Sequence, residues 1–170
     1  VNELLQIGSL LTLPVLVGWF GLRGVWPSGW PFVIQVLGAV LVLDAGLTVG
    51  HWASHMLPVL WRFHAVHHSV ERFYGLNGLM KHPLHQLFET AVGTAPLVLL
   101  GLPGEVAAAL MFLVAVQLLL QHSNVDYAVG PLRRVLSLNQ LHRFHHLRRA
   151  GSGDVNFGLF TTIWDRLLGT

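Results

Sequence analysis

From Phe32 to Gly50 the chain carries one charged residue, Asp44, in an otherwise uncharged and mainly apolar run. At about 1.5 Å per residue, a helix of that length nearly crosses a hydrocarbon core of about 30 Å. Three further apolar runs have similar character: Leu4–Phe20, Gln86–Leu100 and Glu105–Leu120. The last two are short and joined by "GLPG", which predicts a helical hairpin. "GVWPSGWP" separates the first two and places Trp26 and Trp30 where aromatics gather at a membrane interface. Composition agrees: 53% of residues are hydrophobic and 11% charged, against about a quarter charged in soluble domains. The expected fold is all-α and integral to a membrane, one domain over 1–170, with about four transmembrane helices and a cytoplasmic helical cap. The N-terminus shows no basic segment or small-residue cleavage site, so the first run is expected to be retained.

The basic residues predict the orientation. Only Arg23 falls between the first two runs; Arg62, Arg72, Lys81, Arg133, Arg134, Arg143, Arg148, Arg149 and Arg166 fall after the second run or after the fourth. Four spans put those segments on one side, and an excess of Lys and Arg marks the cytoplasmic side. The pI near 9.7 is therefore a matter of topology, and with a net charge of only +2 nucleic acid is not an expected partner. The absence of cysteine excludes disulfides, iron–sulfur clusters and thiolate metal sites.

Eleven histidines all fall on that same side. "HAVHH" and "HRFHH" repeat one spacing, H-x-x-H-H, at His64, His67, His68 and at His142, His145, His146. "HWASH" adds His51 and His55. On a helix, positions i, i+3 and i+4 share a face, so each motif aims its imidazoles one way. A single such group can be a basic surface or a set of core histidines; three groups on one membrane side point to metal. With His122 they supply nine imidazoles, more than twice the four that one tetrahedral ion takes, so two metals are expected. Imidazole suits zinc, copper, iron and nickel alike. Neither H-E-x-x-H nor the Glu-x-x-His pattern of ferritin-like di-iron proteins is present.

Four residues are expected to support the ligands. Asp44 lies two helical turns before His51, and a carboxylate in an apolar span needs a partner; orienting a ligand histidine would give it one. His85, in "KHPLHQLFE", flanks the start of the third run together with His82, itself a candidate ligand; Pro83 suits the first turn of that helix. Asn124 and Asp154 are placed to hold His122 and the last histidine motif, or else to cap and turn the chain. "NFGLFTTIWDRLLGT" reads as a segment that covers the site, with Trp164 as packing.

From Asp44 onward the ordered set "HWASH", "HAVHHS", "KHP", "HSNV", "LHRFHH" and "DVNFGLFTTIWDRLLGT" resembles the fatty acid hydroxylase / sterol desaturase superfamily of membrane di-iron enzymes. That resemblance implies O2-dependent hydroxylation or desaturation of a lipid C–H bond at two iron ions. The implied ligands are His51, His55, His64, His67, His68, His122, His142, His145 and His146, with His82 matching a recurrent "HP". At His85 an acidic residue is common instead. No cytochrome b5, flavin or ferredoxin module is visible, so an external electron donor of one of those kinds is implied. Two other readings compete: a carotenoid-ring hydroxylase with similar chemistry, and a membrane metal-binding or transport protein without redox turnover.

Overall fold

A computed structural model describes residues 2–20, 24–127, 129–147 and 153–170; Arg23, Arg148 and Arg149 of the charge map lie outside them. The described residues form seven α-helices: α1 (Asn2–Phe20), α2 (Phe32–Met56), α3 (Pro58–His68), α4 (Pro83–Leu99), α5 (Gly104–Gln121), α6 (Asn139–His145) and α7 (Ile163–Leu168). Short 3-10 turns occupy Gly75–Leu79 and Gly130–Arg134. One isolated antiparallel bridge, Leu136 with Thr161, is the only extended pairing among them.

Among the described residues two helices, α2 and α5, are long and apolar enough to cross a membrane. Leu11–Phe20 is a shorter apolar helix, and α4 has 17 residues. α1, α2, α4 and α5 pack on one another around a core that includes Leu43, Leu97, Leu110 and Leu118. Their outer faces are apolar too: Leu37, Leu87 and Phe112 are all more than half exposed. Exposed apolar side chains of this kind are what a lipid-facing helix presents.

Two local features set up the site. α2 continues past Gly50 to Met56, so "HWASH" rides on the same helix as Asp44. It stops at Leu57, which is extended (φ −102°, ψ 114°) because Pro58 disfavours the helical region for the residue before it. Pro58 then opens α3, folding the two histidine motifs against each other. The loop after α1 departs from expectation. Trp30 is exposed, but Trp26 is buried, donating its indole N–H to Gln35 Oε1 at 2.9 Å; a buried indole needs an acceptor, and α2 supplies one in its first turn.

Gly46 lies where α2 crosses α4. A Cβ there would sit 2.5 Å from the Val92 carbonyl oxygen and 3.0 Å from Gly93 Cα. Backbone cannot swing aside as a side chain can, so Gly46→Ala is expected to cost about 1–3 kcal/mol, read as a lowered Tm in detergent. An unchanged Tm would mean that the two helices separate freely at this point.

Candidate metal centre

The nine motif histidines converge from α2, α3, α6 and the end of α5 into two groups. His51, His55, His64, His68 and His145 form one; His67, His122, His142 and His146 form the other. Within each group, ligand nitrogens lie within 4.8 Å of one another. The two meet at stacked His68 and His146, whose ring centroids are 4.3 Å apart.

Each H-x-x-H-H motif is divided between the groups, in mirror fashion. His64 and His68, the i and i+4 positions of the first motif, enter the first group, while His67 crosses to the second. His142 and His146 enter the second group, while His145 crosses to the first. Helical geometry explains the split: i and i+4 are displaced about 40° one way around the axis, and i+3 about 60° the other way.

Hydrogen bonds fix which nitrogen points inward. His51 Nδ1 donates to Phe157 O (2.9 Å), His67 Nδ1 to Met80 O (3.2 Å), His122 Nδ1 to Leu118 O (2.9 Å) and His145 Nδ1 to Val155 O (3.0 Å). His55 Nδ1 donates to the Asp154 carboxylate at 3.0 Å. These acceptors carry no proton, so in a neutral ring the proton sits on Nδ1 and the inward Nε2 is a bare lone pair. His67 Nε2 and His122 Nε2 nevertheless face each other at 3.1 Å. Two neutral rings in that tautomer cannot hydrogen-bond; their facing lone pairs repel unless one cation beside them binds both. Protonation does not supply it near neutrality. Burial, reinforced by neighbouring imidazoles, holds His67, His142 and His145 well below the ordinary histidine value. Burial likewise lowers His68 to about 3 and His122 to about 4. The donor set, all neutral imidazole nitrogen, fits a first-row transition metal.

The four supporting candidates and His82 are placed differently from one another. Asp154 does reach a histidine, but it is His55 of "HWASH" and not the last motif. Asp44 does not touch His51: its carboxylate accepts from the backbone N–H of Leu159, Phe160 and Thr161 and from Thr161 Oγ1, at 2.8–2.9 Å. It thus holds the irregular segment whose Phe157 carbonyl receives His51 Nδ1–H. Asp165 steadies the same segment by accepting from the N–H groups of Phe157 and Gly158. Asn124 is exposed and accepts from Arg143 rather than from a histidine. His82 enters neither group: its Nδ1 accepts from Leu84 N–H as an N-cap, and its ring lies 4.8 Å from Phe63. His85 packs its ring 4.4 Å from His64. It donates Nε2–H to Ser54 Oγ at 2.9 Å, because the Ser54 proton is already given to Gly50 O.

Glu89 and Lys81 were not singled out by sequence reasoning. Glu89 is buried, pairs with Lys81, and forms a third cluster with His64 and His85. The available signal was the one that singled out Asp44, a lone carboxylate within an apolar run.

A cavity of about 700 Å³, its open mouth included, reaches down to His51, His67, His122 and His142. Leu43 and Leu47 of α2 and Met111, Val114 and Leu118 of α5 give it an apolar wall.

The fold and the site define a helical, membrane-associated protein whose histidines can hold metal at the foot of an apolar cavity. The chain belongs to the fatty acid hydroxylase family, whose model matches residues 36–170, and thereby to the wider fatty acid hydroxylase / sterol desaturase superfamily. It is 41% identical over 145 residues to an ornithine lipid hydroxylase of Rhizobium tropici. It is 33% and 30% identical to the alkylglycerol monooxygenases of Danio rerio and Homo sapiens. Each match covers 85% of this chain but only 44% of the first relative and 31% of the other two. The chain therefore spans less than half the length of these relatives. No solved structure matches it significantly.

The partner of His55 offers a graded test of the first group. Removing the carboxylate that orients a ligand histidine commonly weakens metal binding about 10–100-fold. Asp154 is 48% exposed, so Asp154→Ala is expected near the lower end, measured by metal retention against a chelator series. Retention equal to that of the unsubstituted protein would show that His55 needs no orienting partner.

Proposed function

We propose that this protein is a membrane oxygenase that inserts oxygen into a C–H bond of a lipid (fatty acyl, sterol-like or related) using O2 and electrons from outside the chain. The observation that carries this reading is the set of facing, unprotonated Nε2 atoms at the foot of an apolar cavity. They call for metal cations where a hydrocarbon chain can reach. Two iron ions fit the two groups: one held by His51, His55, His64, His68 and His145, the other by His67, His122, His142 and His146. Iron bound there supplies the redox chemistry with O2 that side chains lack.

The chain's own residues do the rest. Backbone carbonyls and Asp154 keep five imidazoles in the inward-facing tautomer; the burial that depresses their proton affinity keeps them available to metal near neutral pH. The apolar wall formed by α2 and α5 guides the hydrocarbon. α1 and α4 join α2 and α5 as four membrane-spanning helices, with the histidines on the cytoplasmic face beside most of the basic residues. An external donor of the ferredoxin, flavoprotein or cytochrome b5 kind reaches them from that side. The similarity to an ornithine lipid hydroxylase and to alkylglycerol monooxygenases supports a lipid substrate.

The test is to load purified protein with iron anaerobically, add reductant and O2 in the presence of a lipid extract, and follow the lipids by mass spectrometry. An added oxygen atom is the expected result. Loss of two hydrogens would show desaturation instead, and unchanged lipids with full iron occupancy would overturn the proposal.

A further inference from the structure

The cavity has two unlike walls. Opposite the leucines and methionine of α2 and α5, it is lined by Lys81, Gln86, Glu89, Thr90 and Thr94. Positions 86, 89, 90 and 94 recur at helical spacing, so one face of α4 is polar along about 12 Å of its axis. α4 is thus turned inside out relative to a soluble helix, with Leu84 and Leu87 exposed and Gln86, Glu89 and Thr94 buried. Intramembrane polar side chains characteristically face a cavity and mark a substrate path. A pure hydrocarbon in this cavity would leave that wall without a polar counterpart on the ligand.

The wall offers neutral hydrogen-bonding groups in a definite order. Thr94 Oγ1 donates its proton to Thr90 O at 2.6 Å, which leaves its lone pairs as acceptors. Thr90 Oγ1 accepts from Gln86 Nε2 at 3.2 Å, and among the described residues nothing accepts its own proton. An acceptor and a donor therefore stand one helical turn apart. The charged pair on the wall is internally neutralised, Lys81 against Glu89. A carboxylate entering beside it would add an uncompensated negative charge in a poorly solvated space.

We infer that the cavity takes an amphiphile whose uncharged hydrogen-bonding linkage, an amide above all, rests on Thr90 and Thr94 while its hydrocarbon lies along α2 and α5. A free fatty acid and a plain alkane are both poorer ligands. The inference rests on the lipid-oxidising reading for its biological sense, but its test does not require turnover.

Hexadecanamide, hexadecanoate and hexadecane share one chain length and differ only at the linkage. Each is titrated against a fluorescent lipid bound to the metal-loaded protein in phosphatidylcholine nanodiscs, at about pH 9, where the acid is ionised. The amide is expected to bind about tenfold more tightly than either of the others, a difference of about 1.4 kcal/mol. In the isosteric double variant Thr90→Val/Thr94→Val that preference should fall below about threefold, with hexadecane binding unchanged. Equal binding of the three probes, or full preference retained in the double variant, would overturn the inference. Lipid oxidation without any preference for the amide would sink it and leave the oxygenase reading standing. Amide preference in a protein that oxidises no lipid would do the reverse.

Discussion

Asp44→Asn is expected to cost about 2–4 kcal/mol of stability, from a buried donor left unsatisfied and from charge-assisted hydrogen bonds weakened to neutral ones, and to release metal with it. The carboxylate gathers the N–H groups of three consecutive residues and one hydroxyl, with Asp44 itself fully buried. An amide keeps one accepting oxygen but turns an NH2 toward the Thr161 N–H, which has no lone pair to offer. The Thr161 N–H would be left without an acceptor, and the Thr161 hydroxyl would have to turn its proton elsewhere to accept from the NH2. The damage spreads because the segment is a hub. Gln117 and Gln121 of α5 donate to Leu159 O and Gly158 O on its other side, and the Phe157 carbonyl two residues before Leu159 fixes His51. The checks are Tm in detergent and metal content after gel filtration, both of which should fall. A variant with unaltered Tm and full metal would show that the segment is held well enough without Asp44.

That residue also shows what sequence could and could not reveal. Burial of a charge in an apolar run is legible from composition, and so is the need for a partner. The identity of the partner is not, because Asp44 and Thr161 are 117 positions apart and backbone N–H groups leave no mark in a sequence. The same limit applied to the histidines. Their gathering was legible because H-x-x-H-H and H-x-x-x-H fix a helical face. The helices bearing the two long motifs were legible only as patterns, and how each motif divides depends on the angle at which α3 and α6 approach. Leu57–Pro58 sets part of that angle, and it lies outside every motif. The membrane character of α2 and α5 was plain from length and hydropathy. The run that becomes α4 was legible only as a short apolar stretch, because its polar inner face interrupts it, and the same feature hid Glu89.

The divided motifs make a prediction that separates spatial grouping from sequence grouping. If two metals are held as the geometry divides the imidazoles, His145 serves the first group although it belongs to the second motif. His145→Ala alone should lower metal content from about two ions per chain to about one, since a site loses affinity sharply on losing a ligand. Adding His64→Ala strikes the same group, so the double variant should still retain about one ion. Combining His145→Ala with His142→Ala instead strikes both groups, and content should fall towards zero. Binding by separate sequence motifs gives the opposite order, because His145 and His142 would then share a metal while His145 and His64 would not. Sites that share a ligand set are strongly non-additive, whereas independent ones add, so the two double variants must differ whichever grouping holds. Metal analysis of the four proteins, with Tm to exclude general unfolding, reads the outcome directly. Its physical basis is the mirror split itself: i and i+4 stay with their own group, and i+3 reaches across to the other. Crossed ligands place residues of both α3 and α6 in each group, so each metal would join the two helices.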